Sequence, residues 1–379
     1  MNLDFTEDQK LIRKSAKDFL SKECPPDVTR DLEDSEEGYS EDMWKKMGEL
    51  GWMGLFIPEE YGGMMGEFMD IIVLMEEIGR NTLPSPFFET IILGSMPILE
   101  FGTDDQKKEF LTKIATGDLK MTLALTESSG SYYALDINAK AASEGDEYSI
   151  NGTKLFVNYA NVADYLVVAC RTSEGKEPEC EDGITILLVD KKSPGIEVNV
   201  ITTTALDKQC EVVFKDVKVP KENVLGAADQ GWNIIKWILE RAAIARCAEM
   251  VGGCQAVLEM TNKYSKERIQ YGRPIGDFQV IQHYLANMWM KTETSKHLTQ
   301  EVAWMVGEGL SCAKEVSSAK AWVSEAFKFV SERGVQIHGA IGVTREVDVG
   351  LYYRRAWAWD PMFGDPNYHR EIVAKEIGL

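Results

Sequence analysis

The order of helix-like and strand-like patterns is the feature that most restricts the fold of this chain. The first third carries helical patterns, the middle carries short β-branched runs, and long amphipathic patterns return from Gly231 onward. An α/β fold would alternate the two kinds of element, whereas blocks of each predict separate helical and β regions. We therefore expect an α+β protein with an N-terminal helical domain (1–120), a middle antiparallel β domain (121–228) and a C-terminal four-helix-bundle domain (229–379).

Helical periodicity and capping signals place the helices. Thr6 followed by Gln9 is a capping-box pattern, and a second helix is expected to end at Gly51. Helical patterns also run through 69–79 and 89–102. In the last third we expect long helices at 232–260, 275–307 and 311–337, with breaks at 272–274 and 339–342.

The middle third has the residue pattern of a sheet. Asn151-Gly152 lies between two strand-like runs, which predicts a β-hairpin turn. Further strands are expected at 164–172, 183–191, 195–201 and 210–220, where β-branched residues are bounded by Gly, Pro and charged turns.

Charge and hydropathy exclude several functions. A net charge of −20 disfavours sequence-independent binding to nucleic acid, which relies on Lys and Arg facing phosphate, and disfavours anionic membrane surfaces. No apolar run approaches the ~18 residues of a transmembrane helix. The first ten residues lack the basic and apolar regions of a secretory signal.

The cysteines and histidines predict no metal centre. The seven cysteines are scattered, without a C-x-x-C pair: Cys24, Cys170, Cys180, Cys210, Cys247, Cys254 and Cys312. The four histidines form no H-E-x-x-H arrangement. An odd number of unpatterned cysteines is typical of reduced thiols, so we expect a cytoplasmic protein.

Four short motifs occur in an order that carries more information than any one of them. They are FIPEEYGG (56–63), LALTESSGS (123–131), YSKERIQYGRPIGDFQVIQ (264–282) and GVQIHGAIGVTREVDVGLYYRRA (334–356). Together with the α–β–α order, this series resembles the flavin-dependent acyl-CoA dehydrogenases over essentially the whole chain. The resemblance implies an acyl-CoA dehydrogenase-like fold, bound FAD, an acyl-CoA substrate and an electron-transfer flavoprotein as electron acceptor.

The resemblance assigns residues around the flavin ring, whose reduced form needs hydrogen bonds from the protein. Leu125 and Thr126 would face the pyrimidine end and Phe156 would cover the ring. Asn158 occupies the place of a threonine that commonly bonds near N5, and Ser131 would contact the CoA thioester arm. Taken alone, a strand phenylalanine is more often a core residue, so Phe156 has that alternative.

A second set would bind the FAD pyrophosphate and adenine of a neighbouring subunit. It comprises Arg268, Gln270, Tyr271, Gln279, Gln336, Gly339 and Ala340. Small residues there would let the backbone approach phosphate. Taken singly, Arg268 would be a solvated charge and Gly339 a helix stop. The cross-subunit set implies a homotetramer.

The catalytic base has several candidates in this sequence. In many family members a glutamate in the C-terminal loop, immediately before a glycine, removes the α-proton of the thioester. In AWDPMFGDPNYHR (358–370) the family's glycine falls at Gly364 and Phe363 takes the glutamate's place. A phenylalanine cannot accept a proton, so this segment is expected to shape the pocket.

Other members carry the base in a Leu-Glu-Arg segment of the first long C-terminal helix. Glu240 in Leu239-Glu240-Arg241 is therefore the first candidate, with Arg241 assigned to substrate binding. Its alternative is a helix ion pair with Lys236.

Further carboxylates remain open as the base. Glu89 is the second candidate and would permit a 1,4-elimination on a cyclohexene-carboxyl-CoA type of substrate; otherwise it is the pocket floor or a buried acceptor. Asp360 and Asp365 come third, although Asp365 suits helix N-capping better.

The expected substrate follows from pocket residues that are aromatic. By position in the motifs these are Phe87, Phe88, Trp232, Trp359 and Phe363. Such a pocket favours a short, branched or alicyclic acyl group, although aromatics are also ordinary core residues. An oxygen-using oxidase and a non-catalytic subunit of a heteromeric dehydrogenase are the alternatives, and loss of the C-terminal glutamate favours the second.

Overall fold

The structure is a computed structural model that describes residues 5–174 and 181–379. The predictions for Cys180 and for the first four residues lie outside these ranges. The chain divides into two compact units. The helical unit comprises Met1–Arg30, Glu67–Leu83 and Ala243–Leu379, and the β-sheet unit comprises Asp31–Gly66 and Pro84–Ala242.

The predicted α–β–α order is confirmed. The helices are α1 (Glu7–Glu23), α2 (Pro26–Asp34), α3 (Glu41–Glu49), α4 (Phe68–Arg80), α5 (Met96–Phe101), α6 (Asp104–Ala115), α7 (Gly231–Glu267), α8 (Gln279–Gly307), α9 (Ala313–His338), α10 (Val349–Trp359) and α11 (Pro366–Glu376). The capping box forms as expected, because Gln9 N donates to Thr6 Oγ1 at 3.2 Å and Thr6 N donates to Gln9 Oε1 at 3.1 Å. Within the described ranges, no helix is both long and apolar enough to cross a membrane.

The β-sheet unit is built on an eight-stranded sheet. Its strands are β1 (Met121–Ala124), β2 (Lys140–Glu144), β3 (Glu147–Asn158), β4 (Tyr165–Arg171), β5 (Ile184–Asp190), β6 (Ile196–Ile201), β7 (Gln209–Pro220) and β8 (Val224–Leu225). Their order is β6-β7-β3-β2-β4-β5-β8, and β1 pairs with β4. Most pairings are antiparallel, as predicted, while β1 runs parallel to β4. Buried aliphatic side chains from the strands, such as Ile150, Leu166 and Val212, form its core.

The hairpin predicted at Asn151-Gly152 is wrong. Both residues lie inside β3, and the turn between β2 and β3 is at Gly145-Asp146. Asn151 instead joins β3 to β7 at a register shift: its Oδ1 accepts from Asp216 N at 3.0 Å and its Nδ2 donates to Asp216 Oδ1 at 2.8 Å. Glycine is required next to it, since a Cβ on Gly152 would lie 2.6 Å from the Cα of Ala139. Close backbone approach, rather than a turn, explains the Asn-Gly pair.

Two local structures depart from the sequence prediction. Residues Glu89–Ser95 form a π-helix that leads into α5, where an ordinary helix was expected. A short hairpin made of β9 (Ile269–Gln270) and β10 (Arg273–Pro274) occupies the break between α7 and α8, with Tyr271-Gly272 as its turn. π-Helical turns are rare and occur frequently at functional sites.

Candidate active site

The loop after β1 is fixed by backbone and side-chain hydrogen bonds from β3. Thr126 O accepts from Leu155 N at 2.8 Å, and Leu125 O accepts from the Nζ of Lys154 at 3.0 Å. The structure therefore brings the predicted residues Leu125 and Thr126 next to the segment of β3 that contains Phe156. Lys154 was not predicted from the sequence, because a lysine in an amphipathic strand is typical of a solvent-facing position.

Phe156 lies at a β-bulge and is half exposed rather than buried in the core. The pairing of β3 with β7 shifts register between Lys154 and Val157, which marks a β-bulge. At the bulge Phe156 adopts a φ of 56°, and its side chain is 51% exposed. Strained, re-aimed residues of this kind cluster at binding sites. A half-exposed ring beside strand-end backbone groups fits a planar heterocycle such as a flavin.

Asn158 and Ser131 are placed in the same unit. The carbonyl of Asn158 accepts from Thr122 Oγ1 at 2.6 Å, which links β3 to β1. Ser131 lies in the loop between β1 and β2, where its hydroxyl donates to the carboxylate of Asp136. The described contacts do not join Ser131 to Leu125, Thr126 or Phe156.

Glu89 lies at the start of the π-helix and is only 3% exposed. Its neighbour Thr90 fixes this position, since Met121 N donates to Thr90 Oγ1 at 3.2 Å where β1 begins. Phe87 is also buried and packs edge-on against Trp52, with ring centroids 6.3 Å apart. The second candidate base is therefore a buried carboxylate close to the start of the strand that leads to Leu125.

Glu240 is partly buried in α7. The guanidinium of Arg241 stacks over the ring of Trp237 at 3.6 Å, and Trp237 packs edge-on against Phe101. Lys236, the alternative partner for Glu240, has its Nζ 2.6 Å from Glu181 Oε2. The Glu240-Arg241 pair thus sits on a turn of helix that aromatic packing fixes.

The residues assigned to a neighbouring subunit's FAD are in the helical unit, on its surface. All seven are exposed: Arg268, Gln270, Tyr271, Gln279, Gln336, Gly339 and Ala340. Tyr271 is 93% exposed at the tip of its hairpin. Just before Gly339, the buried His338 stacks on Tyr264 with ring centroids 4.3 Å apart, and burial lowers its pKa. The sequence prediction missed His338, whose role is to support the end of α9.

The buried side chains of Lys320 and Arg246 contact the C-terminal loop. Phe363 is buried with a φ of 60°. The Nζ of Lys320 donates to Asp360 O and Gly364 O, each at 2.9 Å. The guanidinium of Arg246 lies 5.1 Å from the ring centroid of Trp359. The predicted residues Trp359 and Phe363 therefore belong to a packed, preformed loop in the helical unit.

Two loop aspartates have structural partners. Asp365 N-caps α11, as expected, and accepts from Tyr368 N at 2.7 Å. Asp360 Oδ1 lies 2.9 Å from the Nζ of Lys328.

Arg246 pairs with the buried Glu249, and burial raises the pKa of this glutamate. Neither Lys320 nor Arg246 was predicted, because burial of a cation depends on tertiary partners that sequence spacing does not reveal.

Three family models match consecutive parts of the chain. The family model for the N-terminal domain of acyl-CoA dehydrogenase matches residues 6–118, that for the middle domain matches 122–217, and that for the C-terminal domain matches 229–378.

Individual relatives match over nearly their full length. The chain is 32% identical to the probable acyl-CoA dehydrogenase YngJ of Bacillus subtilis over 100% of both chains. It is 33% identical to the caffeyl-CoA reductase-Etf complex subunit CarC of Acetobacterium woodii over 92% of this chain and 93% of that protein. The solved structure of butyryl-CoA dehydrogenase from Megasphaera elsdenii covers 100% of both chains at 28% identity, with a TM-score of 0.93. The chain belongs to the acyl-CoA dehydrogenase family, whose members are FAD-dependent oxidoreductases that act on the CH–CH group of acyl-CoA thioesters.

Proposed function

We propose that this enzyme oxidises a short, branched or alicyclic acyl-CoA to an enoyl-CoA, with Glu240 as the base, and passes the electrons to an electron-transfer flavoprotein. Support comes from the β-sheet unit, which contains both the strained, half-exposed Phe156 and the partly buried Glu240. By the resemblance to the family, Phe363 takes the place of the usual base. A different carboxylate must therefore accept the α-proton.

The residues divide the work in a defined way. FAD, when bound, would supply the acceptor for the hydride from the β-carbon of the acyl group. Leu125, Thr126 and Phe156 would hold and cover its ring, and Glu240 would take the proton from the α-carbon. A carboxylate is a suitable general base for this step because a positioned acid–base group lowers the barrier to proton transfer.

Glu89 supports a second route. Its carboxylate is buried at the beginning of the π-helix, in the same unit as Phe156. A base at this position could reach a ring carbon of a cyclohexene-carboxyl-CoA and permit a 1,4-elimination. In this route Glu240 has an orienting role.

The reverse reaction is a second candidate function. The relative CarC is named as a subunit of a caffeyl-CoA reductase-Etf complex, which favours reduction of an α,β-unsaturated acyl-CoA. The same residues would serve, since the acid that protonates the α-carbon in reduction is the conjugate of the base in oxidation. The same name supports an electron-transfer flavoprotein as partner.

We propose a homotetramer in which FAD contacts two subunits. The seven residues assigned to the neighbouring subunit's FAD are all exposed in the single chain, as a shared binding surface requires. Arg268→Ala should lower FAD content while Arg333→Ala, on α9, should leave it unchanged. Native mass spectrometry with bound flavin counted per protomer measures both the assembly and the loss.

The deciding experiment is anaerobic bleaching of the flavin absorbance by straight, branched, cyclohexane- and cyclohexene-carboxyl CoA thioesters. Bleaching by a saturated thioester supports the dehydrogenase. Reoxidation of reduced flavin by an enoyl-CoA alone supports the reductase, and rapid reoxidation by oxygen supports an oxidase. A yellow protein that no thioester bleaches would be a non-catalytic subunit, and a protein that takes up no FAD would contradict the proposal.

A further inference from the structure

We propose that Lys154 and Glu127 are positioning residues that close the base of the loop between β1 and β2, and so hold the backbone that faces the flavin. This inference rests on FAD binding beside Leu125, Thr126 and Phe156. It does not depend on which acyl group the enzyme uses.

The ion pair is fully internal to the β-sheet unit. Lys154 is 0% exposed, and its Nζ lies 2.7 Å from Glu127 Oε1. The same Nζ donates to Leu125 O at 3.0 Å. Lys154 therefore binds two residues of the loop that follows β1: the backbone carbonyl of Leu125 and the carboxylate of Glu127.

Glu127 holds the other end of the loop. Its Oε1 accepts from Ala139 N at 3.0 Å, and both of its oxygens accept from Asn138 N at 3.0 Å. Asn138 and Ala139 lead directly into β2. The pair thus joins the two ends of the loop, which carries Thr126 and Ser131 between them.

The same strand segment aims Phe156. Lys154 is the last residue in register before the β-bulge, and Leu155 N donates to Thr126 O at 2.8 Å. The buried ammonium and the exposed ring are therefore two residues apart on a strand that is bonded to the loop. A shift of Lys154 would move both the loop backbone and Phe156.

Stabilisation of the fold does not by itself explain why two charged side chains are buried here. Burying two charges costs desolvation, and apolar replacements of similar volume are often neutral or stabilising. Lys154 also satisfies a backbone carbonyl and Glu127 satisfies two backbone N–H groups, so the pair fixes orientation as well as charge. Fixed supporting groups of this kind determine how precisely a site is held.

The test compares Lys154→Met, Glu127→Gln and the double variant Lys154→Met/Glu127→Gln. The double variant buries no charge, and the Gln oxygen still accepts from the loop amides, so its melting temperature should recover relative to the single variants. Leu125 O stays without its donor. We expect all three to bind FAD about tenfold or more weakly, with a shifted flavin absorption spectrum.

A matched control is available in the same sheet. The Nζ of Lys191 also donates to a backbone carbonyl, that of Asn161, at 2.8 Å. Lys191→Met should bind FAD with wild-type affinity and show the wild-type flavin spectrum, because Asn161 lies outside the loop between β1 and β2.

Two outcomes would overturn the inference. The first is wild-type FAD affinity in the double variant once its melting temperature has recovered, which would make the pair purely structural. The second is wild-type affinity in Glu127→Asp, which keeps the charge, withdraws the carboxylate by one methylene and is informative even if the other variants do not fold. FAD affinity is measured without any thioester, so this test and the proposed function fail independently.

Discussion

Two fully buried lysines hold the two loops to which site residues were assigned, and they do so differently. In the β-sheet unit Lys154 binds a carboxylate and one carbonyl. In the helical unit Lys320 donates to the Ser324 hydroxyl at 3.0 Å and to two loop carbonyls. Burial lowers the pKa of both lysines, to about 8 for Lys320, and Cys170 and Glu127 only partly oppose that lowering at Lys154. The direct partners therefore differ: a carboxylate binds Lys154 at the loop between β1 and β2, whereas a hydroxyl and two backbone carbonyls bind Lys320 at the C-terminal loop.

The chemistry is expected in the first of these units. Glu240→Gln should slow anaerobic flavin bleaching by about 10²–10⁴-fold with FAD still bound, since this is the usual contribution of an acid–base group. Phe363→Leu should change mainly KM, because it keeps an apolar side chain in the C-terminal loop. Stopped-flow absorbance measures both. Unchanged bleaching in Glu240→Gln would move the role to Glu89.

The C-terminal loop should depend on Lys320 for shape. In Lys320→Met the carbonyls of Asp360 and Gly364 lose their donor, which costs about 1–3 kcal/mol for a buried polar group and is partly offset by removing a buried charge. We expect lower stability in denaturant unfolding and a raised KM for the thioester, with FAD affinity unchanged. If Lys320→Met instead lost FAD affinity, as Lys154→Met is expected to, the two buried lysines would not have different roles.

How far the sequence predicts this molecule depends on whether a pattern is local. The block order, the Thr6 capping box and the Asp365 N-cap are set by periodicity and by neighbours three residues away, and all were predicted. The Asn151-Gly152 pair misled because its geometry is set by Ala139 and Asp216, which are distant in sequence. Lys154 and Lys320 were missed for the same reason. The π-helix at Glu89 has no comparable local signal.

The lowered pKa of Lys320 predicts a pH effect on stability. Its pKa is about 8 in the folded protein against 10.5 for the free side chain, so between these values the unfolded chain binds more protons. Stability contributed by this group must therefore rise with pH from 8 to 10.5. The groups that face it are Cys247 and Arg246 on α7, Asp360 and Asp365 in the loop, and His369 on α11.

Unfolding free energies of wild type and Lys320→Met, measured across this range, isolate the effect because other titrations cancel in the difference. The free energy of unfolding of the wild type should increase relative to that of the variant as pH rises. Burial raises the pKa of Cys247 to about 12, so that thiol stays neutral throughout. A difference that does not change with pH would mean that Lys320 keeps its proton in the folded protein throughout this range.

The smallest effect is expected at the far end of the C-terminal loop. Asp365 accepts from Tyr368 N at the start of α11, and replacing such an N-cap by alanine costs about 1 kcal/mol. Asp365→Ala should therefore lower the free energy of unfolding by that amount, and Asp365→Asn, which keeps an acceptor oxygen, by less. Bleaching rates should be unchanged in both. A large loss of rate in Asp365→Ala that Asp365→Asn shares would mean that this carboxylate takes the proton, and the C-terminal loop would then hold the chemistry assigned here to Glu240.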